Sequence, residues 1–206
     1  MSDVFYSFIR TFGSHPFWMS SSPTVIGVEK TARSGPYILA SNHESPYDVA
    51  LLIRHGLRRI DFVSTVEVFG HPFVRWFYGS MNAFPLDRSQ PDVHAARTIF
   101  DRLEHGRVVG MFPEGRLRIG EHALVHTRKI RRGIGRIAKL ARVPILPAFV
   151  VNSVAYTRLS GWMPLRQTKY GLIFGDAIEP SDDPDVTEQK LVDAMLQLRE
   201  ELLSRM

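Results

Sequence analysis

Ser41–Asp48 reads SNHESPYD, and this stretch decides the fold because it joins two segments of different hydrophobic pattern. The apolar run 37–40 before it is typical of a short buried strand, and the run 49–53 after it is typical of the body of a helix. Serine favours the N-cap and an acidic residue favours the first turn, so Ser45 and Asp48 predict a helix that begins with the intervening proline. We therefore expect a strand, a loop and a helix in succession.

His43 and Asp48 are the candidate catalytic pair of this stretch. A carboxylate in the first helical turn can fold back over the loop and reach the imidazole, which holds a neutral histidine in the tautomer that accepts a proton. Two structural alternatives stay open: Asp48 completes a Ser-x-x-Asp capping box worth ~1 kcal/mol, and His43 is an ordinary loop histidine. A zinc site of the H-E-x-x-H type is disfavoured, because Tyr47 occupies the second ligand position.

The composition limits the classes of protein that fit. The 206 residues suit one domain with a substantial core, and an apolar content of 44% is ordinary for a globular chain. The absence of cysteine excludes disulfides, thiolate catalysis and Cys-based metal sites. A net charge of +5 favours an anionic partner such as a phospholipid surface, an acidic cofactor or nucleic acid.

Strand-like and helix-like segments alternate along the chain. This order predicts a single-domain α/β sandwich around a largely parallel mixed sheet. The predicted strands are 25–29, 37–40, 60–63, 83–86, 107–112, 145–151 and 169–174. The main predicted helices are 3–12, 49–53, one from 71, 91–104, 133–141 and a last one capped by Asp185.

Polar residues follow several of these strands. In open α/β sheets, sites form beyond the carboxyl ends of the strands, so we expect His43, Arg88 and Glu114 to converge. Residues 112–118 read FPEGRLR, which places an acid, a glycine and two guanidiniums directly after a strand. Guanidinium groups bind phosphate in bidentate fashion, although a solvated charged turn explains the same residues when they are taken alone.

A basic cluster begins at residues 128–132, which read RKIRR. It is typical of a solvated face and equally of a surface that meets an anionic membrane, a cofactor phosphate or nucleic acid. The following residues 133–138, GIGRIA, fit the letters of the dinucleotide fingerprint G-x-G-x-x-A. They follow a polar run and no strand, so the required context fails and we reject that interpretation.

The first 20 residues form an amphipathic, aromatic segment. The pattern over 3–12 is typical both of a helix packed on the core and of a helix in the lipid headgroup region. No apolar run approaches the ~18 residues that a membrane-spanning helix needs, and the N-terminus lacks signal-peptide features. We expect a cytoplasmic protein, peripheral on the inner face of the membrane.

Four stretches together resemble the motif series of the glycerophospholipid acyltransferases, the PlsC-like family that includes lysophosphatidate acyltransferases. The H-x4-D motif is similar to 43–48, the second motif to 82–88, F-P-E-G to 112–115 and V-P-[IV]-[IVL]-P to 143–147. The set occurs in the family's order. Two departures stand out: Asn82 replaces the usual glycine of the second motif, and Arg116-Leu117-Arg118 replaces the usual Thr-Arg-Ser.

The resemblance implies an O-acyltransferase of phospholipid biosynthesis. It would move a fatty acyl group from acyl-CoA or acyl carrier protein, as co-substrate, to a hydroxyl of a lysophospholipid-type acceptor. His43 would be the general base and Asp48 its orienting partner, with no metal or further cofactor. The implied substrate-binding residues are Asn42, Arg88, Glu114, Gly115, Arg116 and Arg118. The implied basic contacts to the membrane or to donor phosphates are Lys129, Arg131 and Arg132.

Two other functions remain open at this point. The same dyad can serve a thioesterase, or an acyltransferase whose acceptor is an aminolipid or a glycolipid. A non-enzymatic module that grips nucleic acid or anionic lipid through the basic run is disfavoured by the ordered motifs, so we expect no nucleic-acid partner.

Overall fold

A mixed seven-stranded sheet forms the centre of the computed structural model, which describes residues 3–87, 92–164 and 168–206. Its strand order is β1-β7-β6-β2-β5-β3-β4, and neighbouring strands are parallel except for the antiparallel pair β6 and β7. The predicted α/β fold around a largely parallel mixed sheet is confirmed. The strands are β1 (Thr24–Ile26), β2 (Tyr37–Ser41), β3 (Ile60–Thr65), β4 (Phe84–Leu86), β5 (Val108–Met111), β6 (Ile145–Val151) and β7 (Gly171–Phe174).

Helices cover both faces of this sheet. Alternate residues of β2 show the division: Ile38 packs with one hydrophobic cluster and Leu39 with the other, because successive strand side chains point to opposite faces. The helices are α1 (Asp3–Phe12), α2 (His15–Ser20), α3 (Asp48–His55), α4 (Pro72–Ser80), α5 (Val93–Glu104), α6 (Leu124–Thr127), α7 (Ile134–Ala141) and α8 (Pro184–Arg205). The first cluster contains residues of α5, α7 and α8, and the second contains residues of α1, α2 and α3.

The first strand is shorter than the predicted 25–29. It ends at Ile26 because Gly27 takes a left-handed conformation, with φ of +72°, and a 3₁₀ helix follows over Val28–Ala32. A Cβ atom at Gly27 would lie 2.3 Å from the carbonyl oxygen of Phe174. Backbone therefore approaches backbone too closely for any side chain at this turn.

The start of the last helix also differs from the prediction. Asp183 is the N-cap in place of Asp185, and its Oδ1 atom accepts a hydrogen bond from the backbone nitrogen of Asp185 at 2.9 Å. Pro184 takes the first helical position, where a missing N–H costs nothing. Glu188 bridges to α7 instead, since its Oε1 atom accepts from the backbone nitrogens of Gly133 at 2.7 Å and Gly135 at 3.1 Å.

Helix α1 turns one side inward and another outward. Tyr6 is fully buried, and its hydroxyl oxygen accepts a hydrogen bond from the backbone nitrogen of Ile60 at 3.1 Å. Val4, Phe8 and Phe12 lie one turn apart on the outer side and are more than half exposed. Across the described residues, each helix is too short or too polar to pass through a bilayer.

Candidate active site

The turn between β2 and α3 differs from the sequence prediction, because Tyr47 is the N-cap and Pro46 does not begin the helix. Helix α3 begins at Asp48, after a turn in which the backbone nitrogen of Asp48 donates to the carbonyl oxygen of Ser45 at 3.2 Å. Ser45 is therefore not the N-cap. The expected backward contact is nevertheless present, because the Ser45 backbone nitrogen donates to Asp48 Oδ2 at 2.9 Å. The carboxylate that binds the Ser45 backbone nitrogen is thus the same one that contacts the His43 ring.

His43 and Asp48 form the predicted pair. His43 Nδ1 lies 2.9 Å from Asp48 Oδ2, and the aspartate is fully buried. The same oxygen accepts from the backbone nitrogens of Glu44 at 2.8 Å and Ser45 at 2.9 Å, while the Ser153 hydroxyl donates to Oδ1. An ionised carboxylate only accepts, so Nδ1 carries the ring proton and Nε2 is left to accept one. This is the arrangement that a general base requires.

The loop around Glu114 holds His43 from the other side. The His43 ring stacks on Phe112 with centroids 3.9 Å apart, and its backbone nitrogen donates to Glu114 Oε1 at 3.0 Å. Its carbonyl oxygen accepts from the backbone nitrogen of Arg118 at 2.9 Å. The predicted convergence of the loops after β2 and β5 is therefore present.

Glu114 is buried between two loops. Besides His43, it accepts from the backbone nitrogen of Leu124 at 2.9 Å, so it joins the histidine loop to α6. Burial raises the pKa of Glu114, and the two backbone hydrogen bonds oppose that shift. Gly115 follows with φ of +76°, and a Cβ there would lie 2.3 Å from Cδ of Arg131. The glycine lets the Arg131 stem pack against this corner.

A cavity of about 650 Å³ opens at the histidine. His43, Phe112, Arg116 and Leu117 contribute to its lining. The rest of the lining is mostly apolar and comes from α1, α2, α3, β3 and α4. A chemically competent imidazole is thus joined to an apolar space large enough for a ligand.

The remaining predicted contacts are distributed differently. Asn42 is buried, and its amide exchanges two hydrogen bonds with the backbone of Val150, at 2.9 and 2.7 Å, which extends the pairing of β2 with β6. Arg116 is exposed beside the cavity, and Arg118 is partly exposed. Arg88 lies outside the described residues.

The basic residues lie on the outside of the same region. The backbone nitrogen of Arg131 donates to the carbonyl oxygen of Pro113 at 2.8 Å, which ties the basic run to the Glu114 corner. Lys129 is exposed, and Arg132 pairs loosely with Asp185 at 3.5 Å while remaining 85% exposed. Arg131 is therefore adjacent to the site, whereas Arg132 is drawn towards α8.

Sequence reasoning missed Ser153 and Glu44. The Ser153 backbone nitrogen donates to Glu44 Oε1 at 2.8 Å, and the Ser45 hydroxyl donates to Ser153 Oγ at 2.8 Å. Burial first, and the charge of Asp48 second, raise the pKa of Glu44. Ser153 follows the carboxyl end of β6, so the rule that drew attention to His43 and Glu114 could have found it.

The unusual Asn82 fits the glycine-like position that it occupies. Its φ is +62°, in the left-handed region that asparagine adopts more readily than most residues. The buried side chain donates through Nδ2 to Asp3 Oδ1 at 3.1 Å. The replacement therefore keeps the turn before β4 and adds a contact to the start of α1.

Comparison with known proteins points to one family. The family model described as acyltransferase matches residues 22–151. The matched part includes the histidine–aspartate pair, the Glu114 corner and all of β6.

Two curated relatives are both 1-acyl-sn-glycerol-3-phosphate acyltransferases. The 1-acyl-sn-glycerol-3-phosphate acyltransferase of Bacillus subtilis is 27% identical over 173 residues, which cover 83% of this chain and 81% of the relative. The protein of that description from Saccharomyces cerevisiae is 30% identical over 134 residues, or 63% of this chain. The match spans only 43% of the yeast protein.

A crystal structure shares the fold. The 1-acyl-sn-glycerophosphate (LPA) acyltransferase PlsC of Thermotoga maritima superposes with a TM-score of 0.77 over 98% of this chain and 80% of that one. The sequence identity is 22%, so this likeness concerns the fold.

Proposed function

Because the chain belongs to the PlsC-like acyltransferase family, we propose that it acylates a lysophosphatidate-like acceptor in phospholipid biosynthesis. The acyl donor would be acyl-CoA or acyl carrier protein. The observation that carries this proposal is the 2.9 Å contact between the buried Asp48 and His43, which lines the apolar cavity. Acid–base chemistry on a thioester is sufficient for this reaction, so the proposal includes no metal and no resident cofactor.

The proposed reaction has two steps. His43 Nε2 takes the proton of the acceptor hydroxyl while the oxygen attacks the thioester carbonyl, and a C–O bond forms. The resulting tetrahedral intermediate collapses, the C–S bond breaks, and the leaving thiolate takes the proton back from His43. Asp48 stabilises the imidazolium that exists between these steps, and such general-base help is typically worth ~10²–10⁴-fold.

The apolar cavity would hold the fatty acyl chain. Its lining comes from the helices on the histidine side of the sheet and from β3 and α4. Burial of each methylene is worth about 0.8 kcal/mol, so a long chain gains most of its binding energy here. His43, which lines the cavity, would then face the thioester carbonyl.

The acceptor head group would meet the loop after β5. Arg116 lines the cavity beside His43, and a guanidinium offers the paired donors that suit a phosphate. Gly115 and Arg118 shape the same loop, and Glu114 fixes it to the histidine. Arg88 is proposed as a further head-group contact on the family resemblance, whereas Asn42 would act by holding the end of β2.

The enzyme would work as one domain, 1–206, peripheral on the inner face of the cytoplasmic membrane. The exposed apolar side chains of α1 and α2 support this placement, since Trp18 is 72% exposed and Phe8 and Phe12 are more than half exposed. Lys129, Arg131 and Arg132 would contact anionic headgroups or the phosphates of the donor.

The test is a thiol-release assay with both donor types and a panel of lysolipid acceptors, with products identified by mass. His43→Ala should abolish acceptor-dependent thiol release while the thermal midpoint of unfolding stays close to that of the wild type. His126→Ala, which alters an exposed histidine of α6, is the matched control and should remain active.

Three outcomes would contradict the proposal. Full activity of His43→Ala would remove the base. Thiol release that is indifferent to any acceptor would indicate a thioesterase, and a product mass that fits only an aminolipid or a glycolipid would change the acceptor class.

A further inference from the structure

A second cavity, of about 420 Å³, lies at the opposite edge of the sheet from His43. It is bordered by the residues that precede β3 and β5, so it is at the amino ends of strands whose carboxyl ends face the candidate active site. Half of the eight described residues that line it are arginines. These are Arg10, Arg58, Arg59 and Arg107, and Tyr6 and Ser7 of α1 lie beside them.

Two of these arginines are held in fixed positions. The Arg58 guanidinium donates to the carbonyl oxygens of Arg33 at 2.8 Å and Gly106 at 2.6 Å, and also to that of Gly35. Arg107 binds the fully buried Asp61 in bidentate fashion, with contacts of 2.5 and 2.7 Å. Little further side-chain ordering is therefore needed when a ligand enters, which lowers the entropic cost of binding.

Positive charge exceeds negative charge around this cavity. Asp61 is shared by Arg107 and Arg102, and Asp3 is shared by Arg59 and Arg107. Within 3–87, 92–164 and 168–206, no carboxylate is paired with Arg10. Four lining arginines and Arg102 thus stand against two aspartates, which leaves three positive charges in excess.

We propose that this cavity, which we call the arginine cavity, binds a phosphate group. A guanidinium has five N–H donors, and the bonds described use three on Arg58 and three on Arg107, so each keeps donors for the oxygens of a phosphate. Burial raises the pKa of Tyr6 to about 12, so the phenol beside the cavity stays neutral and adds no negative charge that would repel an anion. The phosphate belongs either to a soluble phosphate compound or to an anionic lipid headgroup.

The lipid source is structurally possible because α1 borders the cavity. Arg10 and Ser7 line it, whereas Val4, Phe8 and Phe12 on the same helix are exposed. A lipid headgroup bound at the arginines would therefore lie beside the apolar side of the helix. Arg10 borders both cavities, whereas Arg58, Arg59 and Arg107 do not line the cavity at His43. The inference therefore stands whether or not the proposed acylation is correct.

The first experiment titrates the protein with inorganic pyrophosphate by calorimetry. Arg59→Gln removes one lining charge, and its partner Asp3 keeps Arg107 and Asn82. Arg205→Gln removes one charge from the end of α8 on the other face of the sheet. Because both variants lose one positive charge, their difference reports the arginine cavity. We expect about tenfold weaker binding for Arg59→Gln alone, as for loss of one charged hydrogen bond.

A second pair of variants protects the test against misfolding. Ser7 is exposed at the cavity, so Ser7→Asp adds a negative charge without disturbing the core, and Ser7→Asn is its neutral match. We expect pyrophosphate binding to be weakened at least as much in Ser7→Asp as in Arg59→Gln, and to be nearly normal in Ser7→Asn.

The second experiment measures sedimentation with phosphatidylcholine vesicles, with and without phosphatidylglycerol. If Arg59→Gln and Ser7→Asp bind the anionic vesicles less than their matched controls, the phosphate is that of a lipid. If only pyrophosphate binding changes, the phosphate compound is soluble. If neither variant differs from its control in either experiment, there is no phosphate site and the inference is wrong.

Discussion

Two aspartates are fully buried at opposite edges of the sheet, and their surroundings differ. Asp61, near the amino ends of the strands, is bound by the guanidiniums of Arg107 and Arg102. Asp48, near the carboxyl ends, accepts from two backbone N–H groups, the Ser153 hydroxyl and the His43 ring. One carboxylate has cations beside it at all times, and the other has a cation only when His43 gains a proton.

The two aspartates are therefore suited to different roles, one to stability and the other to catalysis. A buried charge needs compensation, and two guanidiniums compensate Asp61 permanently. Asp61 therefore stabilises the folded state and takes part in no step of a reaction. The neutral donors around Asp48 satisfy its hydrogen bonds but leave its charge uncompensated. That charge is then available to stabilise an imidazolium when His43 takes up a proton.

The largest expected effect comes from Asp48→Asn. The amide oxygen can keep the contact to the His43 ring, and the amide nitrogen can face Ser153, so the fold should persist. The negative charge is lost, and we expect kcat for acceptor-dependent thiol release to fall by on the order of 10³-fold. A fall in kcat of less than about tenfold, in a variant whose unfolding curve matches that of the wild type, would contradict this role of the Asp48 charge.

Asp61→Asn tests the other side of the comparison. It leaves the partly buried Arg107 guanidinium half-compensated, and loss of one partner of a buried pair typically costs about 3–5 kcal/mol. We expect the free energy of unfolding in urea to fall by about 3 kcal/mol, because Asp3 still contacts Arg107. Activity per folded molecule should stay near that of the wild type. A large fall in kcat without a change in stability would reverse the roles that we assign.

These two clusters also show how far sequence reasoning reaches. The contact of His43 with Asp48 spans five residues, so capping rules and local geometry could predict it. The sequence predicts the strand 145–151 to the residue, since a continuous apolar run is typical of a buried parallel strand. Local patterns are sufficient where the partners are close along the chain.

Contacts between distant parts of the chain could not be predicted in this way. Asp61 and Arg107 are 46 residues apart, and Asp48 and Ser153 are 105 apart. Strand order decides which of these residues meet, and no local pattern encodes that order. The prediction of the N-cap of α8 was wrong for a different reason. Asp183 and Asp185 are both suitable capping residues, and only the position of Pro184 distinguishes between them.

His55 is a half-buried titratable side chain with no compensating charge, in contrast to both aspartates. His55, at the end of α3, contacts the Tyr170 hydroxyl through Nε2 at 2.7 Å, and burial together with Arg54 and Arg10 lowers its pKa to about 4. The unfolded state therefore takes up a proton near pH 6.5 that the folded state refuses until about pH 4. Stability is full above pH 6.5 and is lost as the pH falls towards 4.

The corresponding measurement is urea unfolding at pH 7 and pH 5. From pH 7 to pH 5, protonation of His55 in the unfolded state should lower the free energy of unfolding of the wild type by about 2 kcal/mol. The variant His55→Gln should lack this part of the pH dependence. Other carboxyl groups titrate in both proteins, so the difference between them isolates His55. An identical pH dependence in the two proteins would show that His55 is free to ionise in the folded state.

The smallest expected effect is that of Ser153→Ala, which removes one neutral donor from Asp48 Oδ1. Ser153 positions Asp48 and does not touch the reacting atoms, so we expect kcat to fall only about tenfold, the cost of one hydrogen bond. A carboxylate that loses a donor holds a neighbouring imidazolium more strongly. The acidic limb of the kcat/KM profile should therefore move to higher pH.

Ser45→Ala is the matched control, because its hydroxyl donates to Ser153 Oγ and not to Asp48. It should change stability by a similar amount and leave the pH profile in place. If both variants lose stability and neither shifts the profile, Ser153 is only a structural hydroxyl. If Ser153→Ala alone shifts it, the neutral donors around Asp48 set how strongly its charge acts on His43, which is what separates this aspartate from Asp61.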